Sequence, residues 1–386
     1  MKNRIFSVLF ISVFAAMLGL GIIAPLMPIY ARSLGASGIW LGIIFAGFSL
    51  SRGIFMPIIG KLSDRKGRKR FITLGLLLYS VISLVYLLAG NVYYLTTVRL
   101  FHGLASAMVI PVARAYIGEI AEKGEEGRYM GTFNIPLLLG MGSGPFLGGI
   151  LNDSFGIASV FYVMAGLGAI AFLITLVFLP DKRYSRIKEM DNPVPFKEII
   201  KNNVVKGLFL FRAIDGMGKG GVLAFLPILA FTKGITSSQV GIIISFSIFL
   251  MALLQRPFGR LADRYDKLFL VLIGSGLGAL TLLLIPIARN FWELFFISSL
   301  MGLGGATAIP SASALSVEVG QKLGMGFSMG LFSTAMSVGM IVAPIISGVV
   351  MDTLGVKSVF FVAGVISLLG TFVFYYYIRR ERRVER

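Results

Sequence analysis

The sequence has no cysteine, a single histidine and only two tryptophans in 386 residues. Without cysteine there is neither a disulfide framework nor a thiolate metal site, and one histidine cannot assemble a transition-metal site from protein ligands alone. Charge is scarce: 14% of residues are ionic, against about 25% in a typical soluble chain. Acids are the scarcer sign, 18 against 36 cations. The nucleotide-cradling run G-x-x-x-x-G-K-[ST] is absent, which argues against a pump driven directly by nucleotide. No interfacial cluster of His, Asp and Glu stands out of the kind a membrane enzyme needs, and the chain is not read as an enzyme.

What is present is apolar. Hydrophobic residues make up 56% of the chain, with a mean hydropathy of +0.86. Helical bilayer spans need about 20 residues. Twelve runs qualify, at roughly 5–30, 39–59, 71–90, 94–117, 129–151, 157–180, 205–231, 238–258, 268–288, 292–316, 326–349 and 357–378. They do not alternate as the strands of a β-barrel would. The first run follows Met1-Lys2-Asn3-Arg4 and imitates a signal peptide, but it outruns a signal core of about 7–15 residues and is read as the first span. The net charge of +18 could suggest nucleic acid. The cations, however, sit in short loops between apolar runs, so no nucleic-acid partner is expected. With the N-terminus inside, the outer loops carry only Arg32, Lys233, Arg289 and Lys357. This asymmetry places both termini in the cytoplasm. Tyr30, Trp40, Tyr93, Tyr94 and Trp292 fall near outer ends, where an aromatic belt belongs.

Segment 181–204 is polar and basic and holds Pro193 and Pro195. It is read as a cytoplasmic linker between a half at 1–180 and a half at 205–386 that ends in a short basic tail. The halves are copies. At an offset of 199 residues Gly19 matches Gly218, Pro28 matches Pro227, Gly75 matches Gly274, Gly103 matches Gly302, Glu119 matches Glu318, Pro145 matches Pro344 and Asp153 matches Asp352, with no gap over about 140 residues. Six spans per half make the copies parallel. A substrate site is then expected between them near the midplane, with access alternating as the halves rock. Spans 1 and 7 are interrupted at matching places, by Gly19, Gly21, Pro25 and Pro28 against Gly218, Gly220, Gly221 and Pro227, and such pairs point to the site.

The densest charge lies in Gly60-Lys61-Leu62-Ser63-Asp64-Arg65-Lys66-Gly67-Arg68-Lys69-Arg70, read as a turn between spans 2 and 3; Gly259-Arg260-Leu261-Ala262-Asp263-Arg264 repeats its first half. On these residues the chain resembles the major facilitator superfamily, whose signature there is G-x-L-x-D-R-x-G-R, and the likeness covers nearly the whole chain. It implies an all-α membrane protein of twelve transmembrane helices in two parallel-repeat six-helix halves. It also implies a conformational gate at Gly60, Asp64, Arg65, Gly67 and Arg68 with Glu119, and at Gly259, Asp263 and Arg264. Gly60 is expected to admit another helix, Asp64 to accept from the N-terminus of span 11 near Gly326, and Arg68 to reach Glu119 or Glu122, locking an outward-facing state. Asp266 and Lys267 replace the Gly67–Arg68 pair in the second copy, where a weaker lock is expected.

Span 5 carries Gly140-x-x-x-Gly144-Pro145-x-x-Gly148-Gly149, similar to the superfamily's antiporter signature, which is associated with export. Small residues at this spacing let helices touch backbone to backbone, and Pro145 frees a carbonyl. Span 11 is read as keeping Pro344 and Gly348 while losing the other glycines. Span 4 has Arg99 and His102 in a resemblance to R-x-x-Q-G with His for Gln. The resemblance links Arg99 to proton coupling; the alternative is an arginine that snorkels to the interface. His102 is open to a proton role or to hydrogen-bonded packing. In span 7, Arg212, Asp215 and Lys219 share a helical face. Asp215 is either a protonatable carboxylate or a static ion pair that keeps its neighbours tolerable in the bilayer. Arg52, Arg114 and Arg256 complete the six cations inside spans, which leaves an anionic substrate open.

Together these residues imply secondary active transport, with proton-coupled efflux of a small amphipathic molecule or drug favoured over a sugar, organic-anion or other metabolite porter. A receptor or scaffold without flux is the reading from another class. No cofactor is expected beyond an ion gradient, H+, and the expected partners are the substrate, protons and lipid. A monomer in a prokaryotic inner membrane is expected.

Overall fold

The computed structural model describes residues 2–120, 126–180, 202–323 and 325–384, with the side chains of 2, 3, 126–128, 130, 131, 263, 320–323, 325–330 and 382–384 excepted. The expectations placed on Glu122, on most of the linker, on the side-chain surroundings of Gly326 and on the Asp263 side chain lie outside what is described. The helices are α1 (Lys2–Ile23), α2 (Met27–Ser33), α3 (Gly38–Lys66), α4 (Arg68–Val85), α5 (Val92–Ile120), α6 (Glu126–Phe155), α7 (Ile157–Phe178), α8 (Asn203–Phe231), α9 (Ser237–Arg264), α10 (Lys267–Leu284), α11 (Phe291–Leu323), α12 (Met325–Leu354) and α13 (Val356–Val384). Twelve of them, all but α2, are long and apolar enough to cross a bilayer. Helices satisfy every backbone group internally, as hydrocarbon requires.

Several helices run past their expected ends, α9 to Arg264, α11 to Leu323 and α13 to Val384 among them, and two differences bear on the motifs. Span 1 breaks after Ile23 and restarts as α2, because Pro25 and Pro28 lack the N–H a continuous helix needs; Pro28 instead sits in the first turn of α2, where that loss is harmless. The basic stretch 60–70 is not a loop. α3 continues to Lys66, a single residue, Gly67, turns the chain at φ 95°, and α4 starts at Arg68. Lys and Arg are good helix formers, so nothing stops α3 before the glycine. In the second copy Asp266 does this work differently, its carboxylate accepting from the Leu268 amide at 2.9 Å as an N-cap.

The duplication is visible in backbone detail. Positive-φ glycines recur at the 199-residue offset, Gly35 with Gly234 and Gly156 with Gly355. The 3-10 turns Tyr86–Leu88 and Ile285–Ile287 correspond as well. Each copy staples that turn, with different chemistry. Tyr30 Oη donates to the carbonyls of Tyr86 (2.8 Å) and Ala89 (3.3 Å). Lys233 Nζ donates to the carbonyl of Ala288, the counterpart of Ala89. Burial pushes the Tyr30 phenol up, which keeps it a donor.

The helices gather into two compact units, Met1–Arg186 with Gly234–Ser245, and Ile187–Lys233 with Phe246–Arg386. In the first, α1 packs on α6 and α7, and α5 packs on α3 and α4, around a core that includes Leu9, Val13, Leu76, Ala113 and Tyr116. In the second, α8 packs on α12 and α13, and α10 on α11 and α13, around Leu208, Phe211, Val271, Ala312 and Phe374. Glycines set equivalent crossings. A Cβ on Gly75 would lie 3.2 Å from Ala105 O, and one on Gly274 would lie 2.5 Å from the carbonyl of Gly304, the residue matching Ala105.

Candidate functional site

The basic motif builds a cluster inside the first unit. Arg68, 8% exposed, donates from Nε and Nη2 to Glu119 Oε1 at 3.1 and 2.7 Å. Its Nη1 donates to Ser63 Oγ at 2.6 Å, and it also pairs with Asp64 one turn back. The expected Arg68–Glu119 contact is therefore made, between α4 and α5 of one unit. Ser63, which sequence reading passed over, is fully buried and completes the cage. Arg65 and Arg264 point to the exterior, and a Cβ on Gly60 would meet no described atom within 4 Å. Gly259 has Pro310 beside it, at 3.9 Å for an added Cβ. The second copy keeps the ion pair: Lys267 Nζ, at the place of Arg68, lies 2.9 Å from Glu318 Oε1, at the place of Glu119. Glu318 is 55% exposed against 13% for Glu119.

The span-5 signature forms the tightest seam of the first unit. A Cβ on Gly21 of α1 would lie 3.0 Å from Gly140 O and 3.1 Å from Gly144 Cα, and one on Gly144 would lie 2.5 Å from Gly21 Cα. A Cβ on Gly148 would meet Ile22 Cα at 3.0 Å, and one on Gly149 would meet Ser238 Cα at 2.6 Å. Beyond Pro145 the Phe146 amide donates to Ser245 Oγ (3.0 Å), and Asp153 accepts from the Ser238 amide (2.7 Å) at the start of α9. The sequence reading of span 11 needs correction here. Gly339 stands at the place of Gly140, and its contact is the same, with an added Cβ 2.8 Å from Met217 N, as one on Gly140 would be 2.7 Å from the equivalent Leu18 N. Only Gly144 and Gly148 are replaced, by Ala343 and Ser347. At this place the second seam is wider, a Cβ on Gly220, the match of Gly21, lying 3.5 Å from its nearest neighbour.

Arg99 does not snorkel. It is 4% exposed and stacks over Phe48 (4.6 Å) and Phe45 (5.4 Å). Its charge lies beside the Tyr86 hydroxyl. That hydroxyl lies 2.9 Å from His102 Nδ1. Tyr86 is thus the hydrogen-bond partner of one ring nitrogen, the donor being set by the tautomer. His102 Nε2, Tyr79 Oη and Ser106 Oγ are buried and meet around one small cavity also lined by Ala16, Met17 and Leu20. His102 is therefore hydrogen-bonded through Nδ1, while Nε2 faces the cavity without a described partner. Tyr86→Phe strips Nδ1 of its partner and is expected to cost about 2 kcal/mol, the usual penalty for orphaning a buried polar atom, read as a lower melting temperature in detergent.

In the second unit Arg212 pairs with Asp215 Oδ2, and Lys219 Nζ donates to the same oxygen at 2.9 Å. Arg212 lies 5.0 Å from the centroid of Phe332, and its Nη2 is 3.0 Å from Met336 Sδ. Sequence reading found this triad by its spacing but not its α12 neighbours. Of the remaining span cations, Arg114 and Arg256 are exposed, while Arg52 has a buried Nε without a hydrogen-bond partner.

The family model described as Major Facilitator Superfamily matches residues 9–212 and again 208–386, one match per copy. The chain belongs to this superfamily. An uncharacterized MFS-type transporter of Methanocaldococcus jannaschii is 35% identical over 97% of this chain and 98% of its own. Multidrug resistance protein 2 of Bacillus subtilis is 26% identical over 96% and 94%. Among solved structures, a bacterial homolog of the human lysosomal transporter Spinster superposes with a TM-score of 0.84 at 13% identity, covering 99% of this chain and 98% of that one. As an MFS protein the chain is an integral, multi-pass membrane transporter of a small molecule.

Proposed function

We propose that this transporter exports a small amphipathic molecule in exchange for protons by alternating access. The observation that carries the reading is the packing of span 5, where Gly140, Gly144 and Gly148 meet the backbone of α1 and Gly149 meets that of α9 in the antiporter-type pattern. The similarity to a multidrug resistance protein supports it. In this reading the chain works as a monomer in a prokaryotic inner membrane with both termini cytoplasmic, so that the Arg68 cluster faces the cytoplasm. Arg99, His102, Arg212, Asp215 and Lys219 then line the path of proton or substrate, and the Asp64–Arg68 motif acts as the gate.

The test is flux of a panel of amphipathic compounds in proteoliposomes, with and without an imposed proton gradient. Export should accelerate with the gradient directed inward; gradient-independent flux would sink the antiport reading while leaving the fold intact. The gate is tested in the same vesicles. Asp64 is 58% exposed and folds little depend on such a group, so Asp64→Ala should keep a normal melting temperature while flux falls at least tenfold. Unchanged flux would remove Asp64 from the gate.

A further inference from the structure

We propose that Arg212 and Lys219 form a binding site for a monoanionic oxygen acid, the carboxylate of the transported molecule; this rests on the reading of the chain as an exporter of small amphipathic molecules. One carboxylate, Asp215, serves two cations through a single oxygen, which leaves the cluster at net +1 partway along α8. Every other acid in the described helices lies within two turns of a helix end, so none of the spans offers a second acid at this depth. A surplus charge inside a bilayer-spanning segment is costly and marks a substrate or ion path.

The hydrogen-bond inventory points the same way. A guanidinium has five N–H donors and an ammonium three. Among the described residues Arg212 spends Nη1 on Asp215, its Nη2 meets only the sulfur of Met336, a weak acceptor, and its Nε is buried with no partner. Lys219 donates to Asp215 alone among its recorded hydrogen bonds. The cluster is rich in donors and short of acceptors, and a carboxylate supplies acceptors and cancels the charge. Phe332 and Met336 beside Arg212 offer an apolar wall for the rest of an amphipathic anion.

The duplication shows that the charges are not scaffold. Their counterparts in α1 are Val13, Ala16 and Leu20. Conversely the polar niche of the first unit, Tyr79, His102 and Ser106, becomes Gly278, Met301 and Gly305 in the second. The two copies thus differ at both sets of positions: polar in the first where the second has Gly, Met and Gly, and apolar in the first where the second is charged.

The experiment measures binding of benzoate, 1-naphthoate and octanoate, each beside its neutral amide, to the full chain in neutral detergent micelles. At least one carboxylate should saturate at least tenfold tighter than its amide. Lys219→Met should weaken it tenfold or more, and Asp215→Asn, which raises the cluster to net +2, should tighten it several-fold. Opposed signs separate an anion site from a loss of structure, and each variant is first checked for a monodisperse profile, with Lys219→Gln replacing a poorly behaved Lys219→Met. Equal affinity for acid and amide, or shifts of the same sign in both variants, overturns the proposal. So does displacement of nothing but phosphatidylglycerol, which assigns the site to a lipid headgroup. No gradient enters this measurement, so its outcome is independent of whether export proves to be proton-coupled.

Discussion

Gly144→Val is expected to separate α1 from α6 and to cost about 3 kcal/mol or more, beyond the usual range for overpacking, because what the new side chain meets is backbone. The first added carbon alone would stand 2.5 Å from Gly21 Cα, 2.6 Å from its carbonyl carbon and 2.7 Å from Ile22 N. None of these atoms can swing aside as a flexible side chain would, so the helices must part. Once parted, the contacts at Gly140 and Gly148 loosen with them. Gly166→Val in α7 is the matched control, since an added Cβ there meets nothing within 4 Å. It should melt like the parent, whereas Gly144→Val should melt far lower or elute as aggregate. Gly144→Ala should fall between, since the second copy tolerates Ala343 at this place in its wider seam.

Glu119→Gln carries the second large effect. Removing one partner of a buried ion pair costs ~3–5 kcal/mol where nothing else compensates. Here Asp64 remains beside Arg68 and the glutamine oxygen still accepts, so about 2–3 kcal/mol is expected. Glu318→Gln makes the same chemical change at the same repeat position. Glu318 is 55% exposed, and its pair with Lys267 is worth about 0–1 kcal/mol as a surface bridge. Melting temperatures of the two variants in one detergent should therefore diverge clearly. Equal losses would mean that burial does not set the strength of these two pairs.

Much of this was legible in the residues. Apolar run length gave the twelve spans, and glycine and proline in register gave the duplication, because both signals are covalent and local. The Arg68–Glu119 contact could be anticipated from charge and placement. Partners that depend on how helices face one another were not. Nothing in the spacing connects Tyr86 to His102, or Phe332 and Met336 to Arg212, since helices apolar all round carry little facing information. Gly339 was a different kind of miss: the offset names it as the counterpart of Gly140, and its backbone contact shows why a glycine is kept there. The end of α3 was also misplaced, because a run of lysine and arginine reads as loop by charge and as helix by propensity, and propensity won.

The two niches differ in how many helices supply them. In the first unit the aromatic and polar side chains come from α3, α4 and α5, so no single substitution can change the character of that pocket without disturbing its neighbours. In the second, all three ionic side chains ride on α8. Ligand preference in the second unit can therefore drift through a few codons of one helix.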